Sequence, residues 1–282
     1  MERVLVRRGL GKEIFLMDPS LFKLHRYLLI LSHARSYTTL LCHILGSHRQ
    51  IAGYGETRMP YETAVDLYRL NAKACEDGNY RRDCDYVLDK LLYDDLTVSD
   101  TVLGMPRVVP IFVIREPEPT IASLTRMRVR EHEQGIQNWA EGTDRRAAAA
   151  TAAEYYTSRI ETLQSLSARL EGLPGQGIFL PARSLLDDTS GTLRFLEGAL
   201  NLDGPLREEY KVFEKTGKTD YGDTSTTIRT GRVVRDFPAE EEIPIPADLL
   251  GRARQAYAAC MNRLGSSPVL VQHGTERAAA AG

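Results

Sequence analysis

The chain has 282 residues, 43% of them hydrophobic and 26% charged, a composition that fits a globular protein and excludes the disordered and collagen-like classes. Its 36 basic and 38 acidic residues give a net charge of −2, so no overall field attracts nucleic acid or an anionic membrane as a partner. The longest apolar run near the start, residues 27–31, falls far below the about 20 residues that span a bilayer. The first residues also lack the apolar stretch of a signal peptide, so we expect a cytoplasmic protein.

Strands and helices are predicted to alternate along the chain. Three short, continuous apolar runs are typical of buried parallel strands: residues 27–31, 110–114 and 177–181. Apolar residues at helical spacing predict four helices: residues 38–45, 152–170, 193–200 and 250–264. This alternation indicates an α/β fold in which helices flank a central parallel sheet.

Composition along the chain suggests a single domain. We expect that domain to cover residues 1–264 and a flexible tail to cover residues 265–282, which end in RAAAAG. The segment 131–153 is polar and then rich in alanine. It fits either a mobile lid or the approach to a helix.

The segment YLLILSHARSYTTLLCHILGSH predicts a strand, a tight loop and a helix. In such a loop, which we call the first loop (residues 33–39), backbone N–H groups and the positive end of the helix dipole favour an anion. Arg35 adds a forked cation, and the hydroxyls of Ser36, Thr38 and Thr39 add donors. The glycines and lysine of GxxxxGK[ST] are missing, which disfavours magnesium–ATP chemistry. The alternative is that the hydroxyl residues only cap the helix and Arg35 is a surface cation.

A second candidate anion site, the second loop (residues 115–123), follows the strand at 110–114 in IFVIREPEPTIASL. Arg115 stands at the end of the strand and Ser123 eight positions later, in a helix that the two prolines start (123 − 115 = 8). Open α/β sheets bind ligands at the carboxyl ends of their strands. The two loops are therefore predicted to converge on one ligand that carries two separate phosphates.

Together RSYTTLLCHILGSH and IREPEPTIASL resemble the sulfotransferases that use 3′-phosphoadenosine 5′-phosphosulfate (PAPS). That family has a [KR]SG[ST]T loop for the 5′-phosphosulfate and, for the 3′-phosphate, an arginine with a serine eight residues later. The resemblance spans about residues 26–125 and implies a P-loop-like three-layer fold. It places the donor's 5′ end on Arg35, Ser36, Tyr37, Thr38 and Thr39, and its 3′-phosphate on Arg115 and Ser123.

Tyr37 departs from this pattern, because the family has glycine at its position. Either the backbone avoids a positive φ here, or the ring points outward or toward the substrate.

The segment GYGETRMPYE is similar to the GEETR segment of tyrosylprotein sulfotransferases, in which the glutamate before Thr-Arg is the general base. The resemblance implies that Glu56 removes the proton of the acceptor hydroxyl, with Arg58 either fixing this carboxylate or meeting an acidic acceptor. The alternative is an exposed turn carboxylate. His33, which lies nearest to the first loop, is a rival base, and His43 and His48 are weaker ones.

In the same relatives a lysine bonds the leaving oxygen of the transferred sulfuryl group. Lys90, in YVLDKLLYDD, stands at a comparable distance before Arg115 (115 − 90 = 25) and is implied for that role. The alternative is a surface lysine paired with Asp89 or Asp94.

A late segment, KTGKTDYGDTSTTIRTGRV, loosely resembles the family's loop that covers the nucleotide; we call residues 215–229 the late loop. Its candidate ligands are Lys215, Ser225 and Arg229. In FLPARSLL, Ala182 stands where the family has an aromatic residue next to adenine. Three aromatic residues are candidates to replace it: Trp139, Tyr155 and Tyr156.

The leading interpretation is a sulfotransferase that needs no metal and moves the sulfuryl group from PAPS to a hydroxyl of a small-molecule phenol or alcohol. Glu56, Lys90 and Arg35 are its catalytic candidates, and adenosine 3′,5′-bisphosphate is its second product. Two alternatives stay open: a small-molecule kinase or other P-loop transferase, and a nucleotide-binding module without turnover. The identity of the acceptor does not follow from a fold-level resemblance.

Overall fold

The structure is a computed structural model that describes residues 23, 25–218, 222–223, 225–236 and 242–273. Its strands are β1 (Arg26–Ser32), β2 (Ile51–Ala52), β3 (Tyr86–Leu91), β4 (Val108–Ile114), β5 (Gly177–Pro181) and β6 (Leu270–Gln272). Its helices are α1 (Thr38–Ser47), α2 (Ala64–Glu76), α3 (Asp100–Leu103), α4 (Pro117–Glu133), α5 (Arg145–Leu170), α6 (Ser184–Asp187), α7 (Thr189–Leu200) and α8 (Ala247–Ser266). A short 3₁₀ helix covers Thr227–Thr230.

The six strands form one parallel sheet in the order β2-β3-β1-β4-β5-β6. The three strands predicted from apolar runs are confirmed as β1, β4 and β5. β1 lies between β3 and β4, so the chain leaves β1 toward one side of the sheet and later returns to its other side. Such a reversal opens a crevice at the carboxyl ends of the strands, where ligands of open α/β sheets bind.

Helices cover both faces of the sheet. Leu29 and Leu31 of β1 face one apolar cluster, which α2, α3, α4, α5 and α8 complete. Leu28 and Ile30 face a second cluster, which α1, α6 and α7 complete. The alternation follows from the period of two along a strand. The predicted α/β fold, a central parallel sheet between two helical layers, is confirmed.

The four predicted helices are confirmed as α1, α5, α7 and α8. Segment 131–153 contains the end of α4, a connection and the first turns of α5, which favours the approach to a helix over a lid. Asp144 caps α5 by accepting hydrogen bonds from the N–H groups of Arg146 and Ala147. In the part of the chain that the structure describes, no helix combines the length and the apolar character needed to cross a bilayer.

Sequence analysis misses β3, because two charged residues, Asp89 and Lys90, interrupt its apolar pattern. Both are nevertheless buried in the strand. Their burial is the first sign that β3 serves more than packing.

The prediction that the chain frays from Gly265 is corrected. α8 runs to Ser266, and β6 then pairs with β5 in parallel, with Leu270 opposite Gly177. Leu270 packs into the first apolar cluster. A strand of three residues is too short for a periodic signal in the sequence. Residues 274–282 of the predicted tail lie outside the described residues.

If β6 is part of the core, Leu270→Ala should lower the free energy of unfolding by about 2 kcal/mol or more, because it removes a buried side chain without refilling its space. Denaturant unfolding measures the change. Gln255→Ala, on the exposed side of α8, is the control and should stay within about 0.5 kcal/mol of the parent. Equal effects of the two substitutions would show that β6 adds nothing to stability.

Candidate active site

The first loop connects β1 to α1 through two residues with left-handed backbone, Arg35 at φ 65° and Tyr37 at φ 61°. Tyr37 therefore takes a positive φ, which excludes the first of the two alternatives, that its backbone avoids one. A left-handed conformation costs a non-glycine residue about 1–2 kcal/mol. Its ring stacks on Arg115, whose guanidinium carbon lies 4.4 Å from the ring centroid. This cation–π contact offsets part of the strain.

Helix α1 begins directly behind this loop, and no side chain in the described part of the chain caps its N-terminus. The N–H groups of a first helical turn lack partners within the helix and attract anions. Thr38, predicted to contact the donor, is buried as the first residue of α1. The hydroxyl of Ser36 is buried and donates to the carbonyl of His33 at 2.6 Å. This hydroxyl therefore closes the loop, and the assignment of Ser36 to the donor stays a prediction.

The two predicted anion loops lie against each other. Arg35 donates from Nε to Ser123 Oγ at 2.9 Å. Arg115 donates from Nη1 to the carbonyl of Arg35 at 2.8 Å. The Nε of Arg115 is buried and has no hydrogen-bond partner among the described residues. Burial also lowers the pKa of this guanidinium. The structure thus links Arg35, Arg115 and Ser123 by hydrogen bonds and leaves the Nε–H of Arg115 without an acceptor among the described residues.

His33 joins the two loops and is not free to act as a base. Its Nε2 accepts the backbone N–H of Arg115 at 3.0 Å, so the ring proton sits on Nδ1, which donates to the carbonyl of Ala34 at 3.0 Å. The residue is fully buried, and burial lowers its pKa to about 4. With both nitrogens in use, the suggestion that His33 rivals Glu56 is wrong.

A second charged cluster lies where β3 ends. Lys90 Nζ is 3.4 Å from Glu56 Oε2 and donates to Thr39 Oγ1 at 3.0 Å. Arg58 Nε approaches the other oxygen of Glu56 at 3.5 Å. The side chains of Lys90 and Glu56 are only 1% and 3% exposed. The structure therefore excludes the two alternatives left by the sequence, in which Lys90 is a surface lysine and Glu56 is an exposed turn carboxylate.

The two carboxylates suggested as partners of Lys90 bind elsewhere. Successive strand residues point to opposite faces, so Asp89 turns away from Lys90 and binds Thr57 and Tyr61. Burial raises the pKa of Asp89 to about 6. Asp94 pairs with Arg159 at 3.3 Å.

The late loop covers both clusters through Asp223. Its carboxylate pairs with Arg35 at 3.2 Å, and its N–H donates to Thr39 Oγ1 at 3.2 Å. Burial raises the pKa of Asp223, but Arg35 and hydrogen bonds from Ser225 lower it more, so the net shift is downward. Gly222 has φ 96°, and a Cβ there would lie 2.7 Å from Lys90 Nζ. Only glycine lets the backbone approach Lys90 this closely.

The three candidates in the late loop have other partners. Ser225 donates to Asp223 through its N–H and its hydroxyl. Arg229 donates to the carbonyl of Gly217, and Lys215 pairs with Asp77 at 2.6 Å. Ser225 thus reaches the site through Asp223, while the contacts of Arg229 and Lys215 hold the loop itself.

The two weaker histidine candidates for the general base, His43 and His48, also have hydrogen-bond partners within the protein. His43 contacts the carbonyl of Thr39 and the hydroxyl of Thr216, both at 2.8 Å, and packs among aromatic rings. Burial lowers its pKa to about 4. His48 accepts the N–H of Gln50 at 3.3 Å, and burial lowers its pKa.

The aromatic candidates for adenine serve other purposes. Tyr156 is fully buried and donates to the carbonyl of Arg115 at 2.8 Å. The hydroxyl of Tyr155 accepts the N–H of Ala34 at 2.9 Å. Trp139 lies under the guanidinium of Arg128, 4.0 Å from the ring centroid. Ala182 is buried in the second apolar cluster. Tyr156 is therefore excluded as a stacking partner, and the other two rings already have partners.

Sequence reasoning overlooked two site residues, Asp89 and Asp223. Each left a signal: Asp89 and Lys90 are adjacent charges inside a strand, and Asp223 follows a glycine in a loop rich in cations. A pair of charges within a buried run is unusual enough to mark a functional position.

No protein-family model matches the chain, and no curated protein matches its sequence. Among solved structures, a sulfotransferase domain from the curacin biosynthetic pathway is similar, with a TM-score of 0.55 and 14% identity, over 83% of this chain and 98% of that one. A sulfotransferase domain from the Synechococcus PCC 7002 olefin synthase is 18% identical over 81% and 93% of the two chains, with a TM-score of 0.49. The first likeness shows that the fold is of the sulfotransferase type.

The imidazoles of His33 and His43 should stay largely neutral between pH 8 and pH 5, because burial lowers both pKa values to about 4. In the unfolded chain they take up protons near pH 6.5, so each costs stability as the pH falls from about 6.5 toward 4. NMR of the ring protons measures the titration. A midpoint near 6.5 for either ring would contradict its burial.

Proposed function

We propose that the protein is a sulfotransferase that moves the sulfuryl group of PAPS to a hydroxyl of a small-molecule acceptor. The proposal rests on one observation: the two anion loops and the Glu56–Lys90 pair meet at the carboxyl ends of β1, β3 and β4. PAPS, when bound, supplies a sulfuryl group on a phosphate that can leave.

The second loop fits the 3′-phosphate of such a donor. Arg115 offers a buried Nε that has no hydrogen-bond partner among the described residues, and a phosphate oxygen would satisfy it. Arg115 also donates to the carbonyl of Arg35, and the side chain of Arg35 donates to Ser123. The first loop fits the 5′ end, because the uncapped N-terminus of α1 and Arg35 present positive charge there.

Lys90, held by a hydrogen bond to Thr39, supplies the positive charge that the reaction needs. Phosphate leaves with a developing negative charge, which a fixed cation in a buried site stabilises strongly. The ammonium of Lys90 is held by a strand and by Thr39 Oγ1, so little reorganisation is required. Glu56, whose carboxylate lies 3.4 Å from Lys90 Nζ, accepts the proton of the acceptor hydroxyl.

Asp223 already binds part of the Arg35 guanidinium. Its carboxylate already occupies one side of the guanidinium at 3.2 Å, while Ser123 occupies another. Because the guanidinium carries five N–H donors, a phosphate or sulfate oxygen can bind Arg35 beside Asp223 or in its place.

Turnover with PAPS and a panel of phenols and alcohols, followed by mass spectrometry, tests the proposal. A sulfated acceptor together with adenosine 3′,5′-bisphosphate supports it. Binding of this nucleotide without any product would indicate a nucleotide-binding module, and phosphorylation from ATP would indicate a kinase.

Chelation of divalent metal with EDTA should leave turnover unchanged. Lys90 and the N-terminus of α1 provide the positive charge that magnesium provides in phosphoryl transfer. Initial rates with EDTA and with added magnesium measure the effect. A loss with EDTA that magnesium restores would contradict the proposed roles.

Adenosine 3′,5′-bisphosphate should bind more tightly than adenosine monophosphate, and Arg115→Ala should remove most of this preference. A charge-assisted contact is worth about 1.5–3 kcal/mol, so the preference should fall by about one to two powers of ten. Calorimetry measures both affinities. Arg183→Ala, a neighbouring arginine paired with Asp187, is the control and should keep the preference. Equal affinities in the parent would refute the 3′-phosphate assignment.

Glu56→Gln should lower kcat by about 10²–10⁴ with little change in nucleotide affinity, because an amide cannot accept the proton. A strongly acidic phenol should escape part of this loss, since it arrives ionised. Steady-state kinetics with two phenols measure both effects. Glu62→Gln, an exposed carboxylate six residues later, should behave like the parent. Near-normal turnover of the Glu56 variant on an ordinary phenol would show that Glu56 is not the base.

A further inference from the structure

Asp89 is a buried carboxylate to which the proposed chemistry gives no role. It is 1% exposed and accepts three hydrogen bonds: from the N–H of Thr57 at 2.9 Å, from the hydroxyl of Thr57 at 2.5 Å and from the hydroxyl of Tyr61 at 2.7 Å. Burying a carboxylate is costly unless its oxygens are bonded. A neutral apolar residue would suit packing at this position of β3 at a lower cost, so the carboxylate calls for another explanation.

The partner of Asp89 stands next to the proposed base. Thr57 follows Glu56, and Asp89 precedes Lys90, so two consecutive turn residues bind two consecutive strand residues. Since strand side chains alternate, Lys90 reaches Glu56 on one side of β3 while Asp89 holds Thr57 on the other. A shift of the turn by one residue would break both contacts.

Little else in regular structure fixes this turn. Residues 53–60 lie in neither a helix nor a strand, and Arg58 has a left-handed backbone at φ 53°. A loop of this kind samples many conformations unless side chains hold it. One oxygen of Asp89 accepts the N–H of Thr57 and the other accepts its hydroxyl. The two hydrogen bonds fix the position and the orientation of the peptide after Glu56.

We propose that Asp89 is a positioning residue that holds the turn at Thr57 and thereby keeps the carboxylate of Glu56 against Lys90 in the site. The catalytic part of this inference rests on the proposed function. The structural part, that Asp89 holds the turn, is independent of the proposed function.

The test compares Asp89→Asn with the parent by hydrogen–deuterium exchange and by kinetics. The amide side chain keeps the size but cannot accept all three hydrogen bonds. Exchange in the peptide that contains residues 53–61 should become at least about tenfold faster, while the protection of α7 is unchanged. The affinity for adenosine 3′,5′-bisphosphate should stay within about twofold.

The kinetic readout separates positioning from general damage. In Asp89→Asn, kcat on an ordinary phenol should fall by about tenfold or more, and on a strongly acidic phenol by much less, because the ionised phenol needs no base. Added to Glu56→Gln, the same substitution should lower kcat by less than about threefold further, since a base that is already absent cannot be misplaced.

Two further sets of variants keep the test decisive. If Asp89→Asn does not fold, Thr57→Val is used instead, because it removes the hydrogen bond from the half-buried Thr57 hydroxyl to Asp89. Thr57→Ser keeps this hydroxyl and should behave like the parent. Asp66→Asn is the matched control: Asp66 is also buried and accepts the N–H groups of Glu62 and Thr63, but it holds the start of α2. Any decrease of kcat in Asp66→Asn should be equal for the ordinary and the strongly acidic phenol.

The outcomes distinguish the two proposals. Unchanged exchange at residues 53–61 would overturn the positioning role, and so would an equal loss on both phenols or a loss that adds in full to that of Glu56→Gln. If the parent transfers no sulfuryl group at all, the proposed function fails, and the exchange data still decide whether Asp89 holds the turn.

Discussion

The neutral imidazole of His33 joins the two anion loops, and the geometry of the site follows from that junction. Parallel pairing aligns β1 with β4 but ends before the loops begin, so something else must set one loop against the other. His33 does so by accepting the N–H of Arg115 and donating to Ala34, which requires a single neutral tautomer. Burial enforces that state by lowering the pKa. Arg35 can then reach Ser123 because both loops are fixed.

Helix α5 supports the same edge of the sheet from the outside. Tyr155 and Tyr156 bind the backbone of the two loops, and Arg159 donates to the carbonyls of Ser32 and Leu91, the last residues of β1 and β3. Strand ends leave carbonyl groups without sheet partners, and a buried arginine satisfies two of them at once. The apolar face of α5 thus packs the core while its polar residues shape the edge where the site lies.

Two cations of the site are paired with carboxylates before any ligand arrives. Lys90 faces Glu56, and Arg35 faces Asp223. A buried charge without a partner would cost several kcal/mol, which explains why cations and anions occur together. The arrangement also means that the cations are oriented in advance, and preorganised charge is what stabilises a transition state.

The sequence by itself determined the three strands β1, β4 and β5, four of the helices and the positions of the first and second loops, because each depends on local apolar periodicity or on spacing within a short segment. Glu56 and Lys90 came from resemblance, and their pairing was not foreseen, since the turn after β2 reaches Lys90 only when β2 lies beside β3. Tertiary structure alone decided the left-handed backbone of Tyr37, the edge strand β6 and the inward turn of the Ser36 hydroxyl. It also decided the roles of Asp89 and Asp223, whose partners lie 32 and 188 residues away. Contacts between residues so distant leave no periodic trace in the sequence, because it is the packing of the sheet and its helices that brings them together.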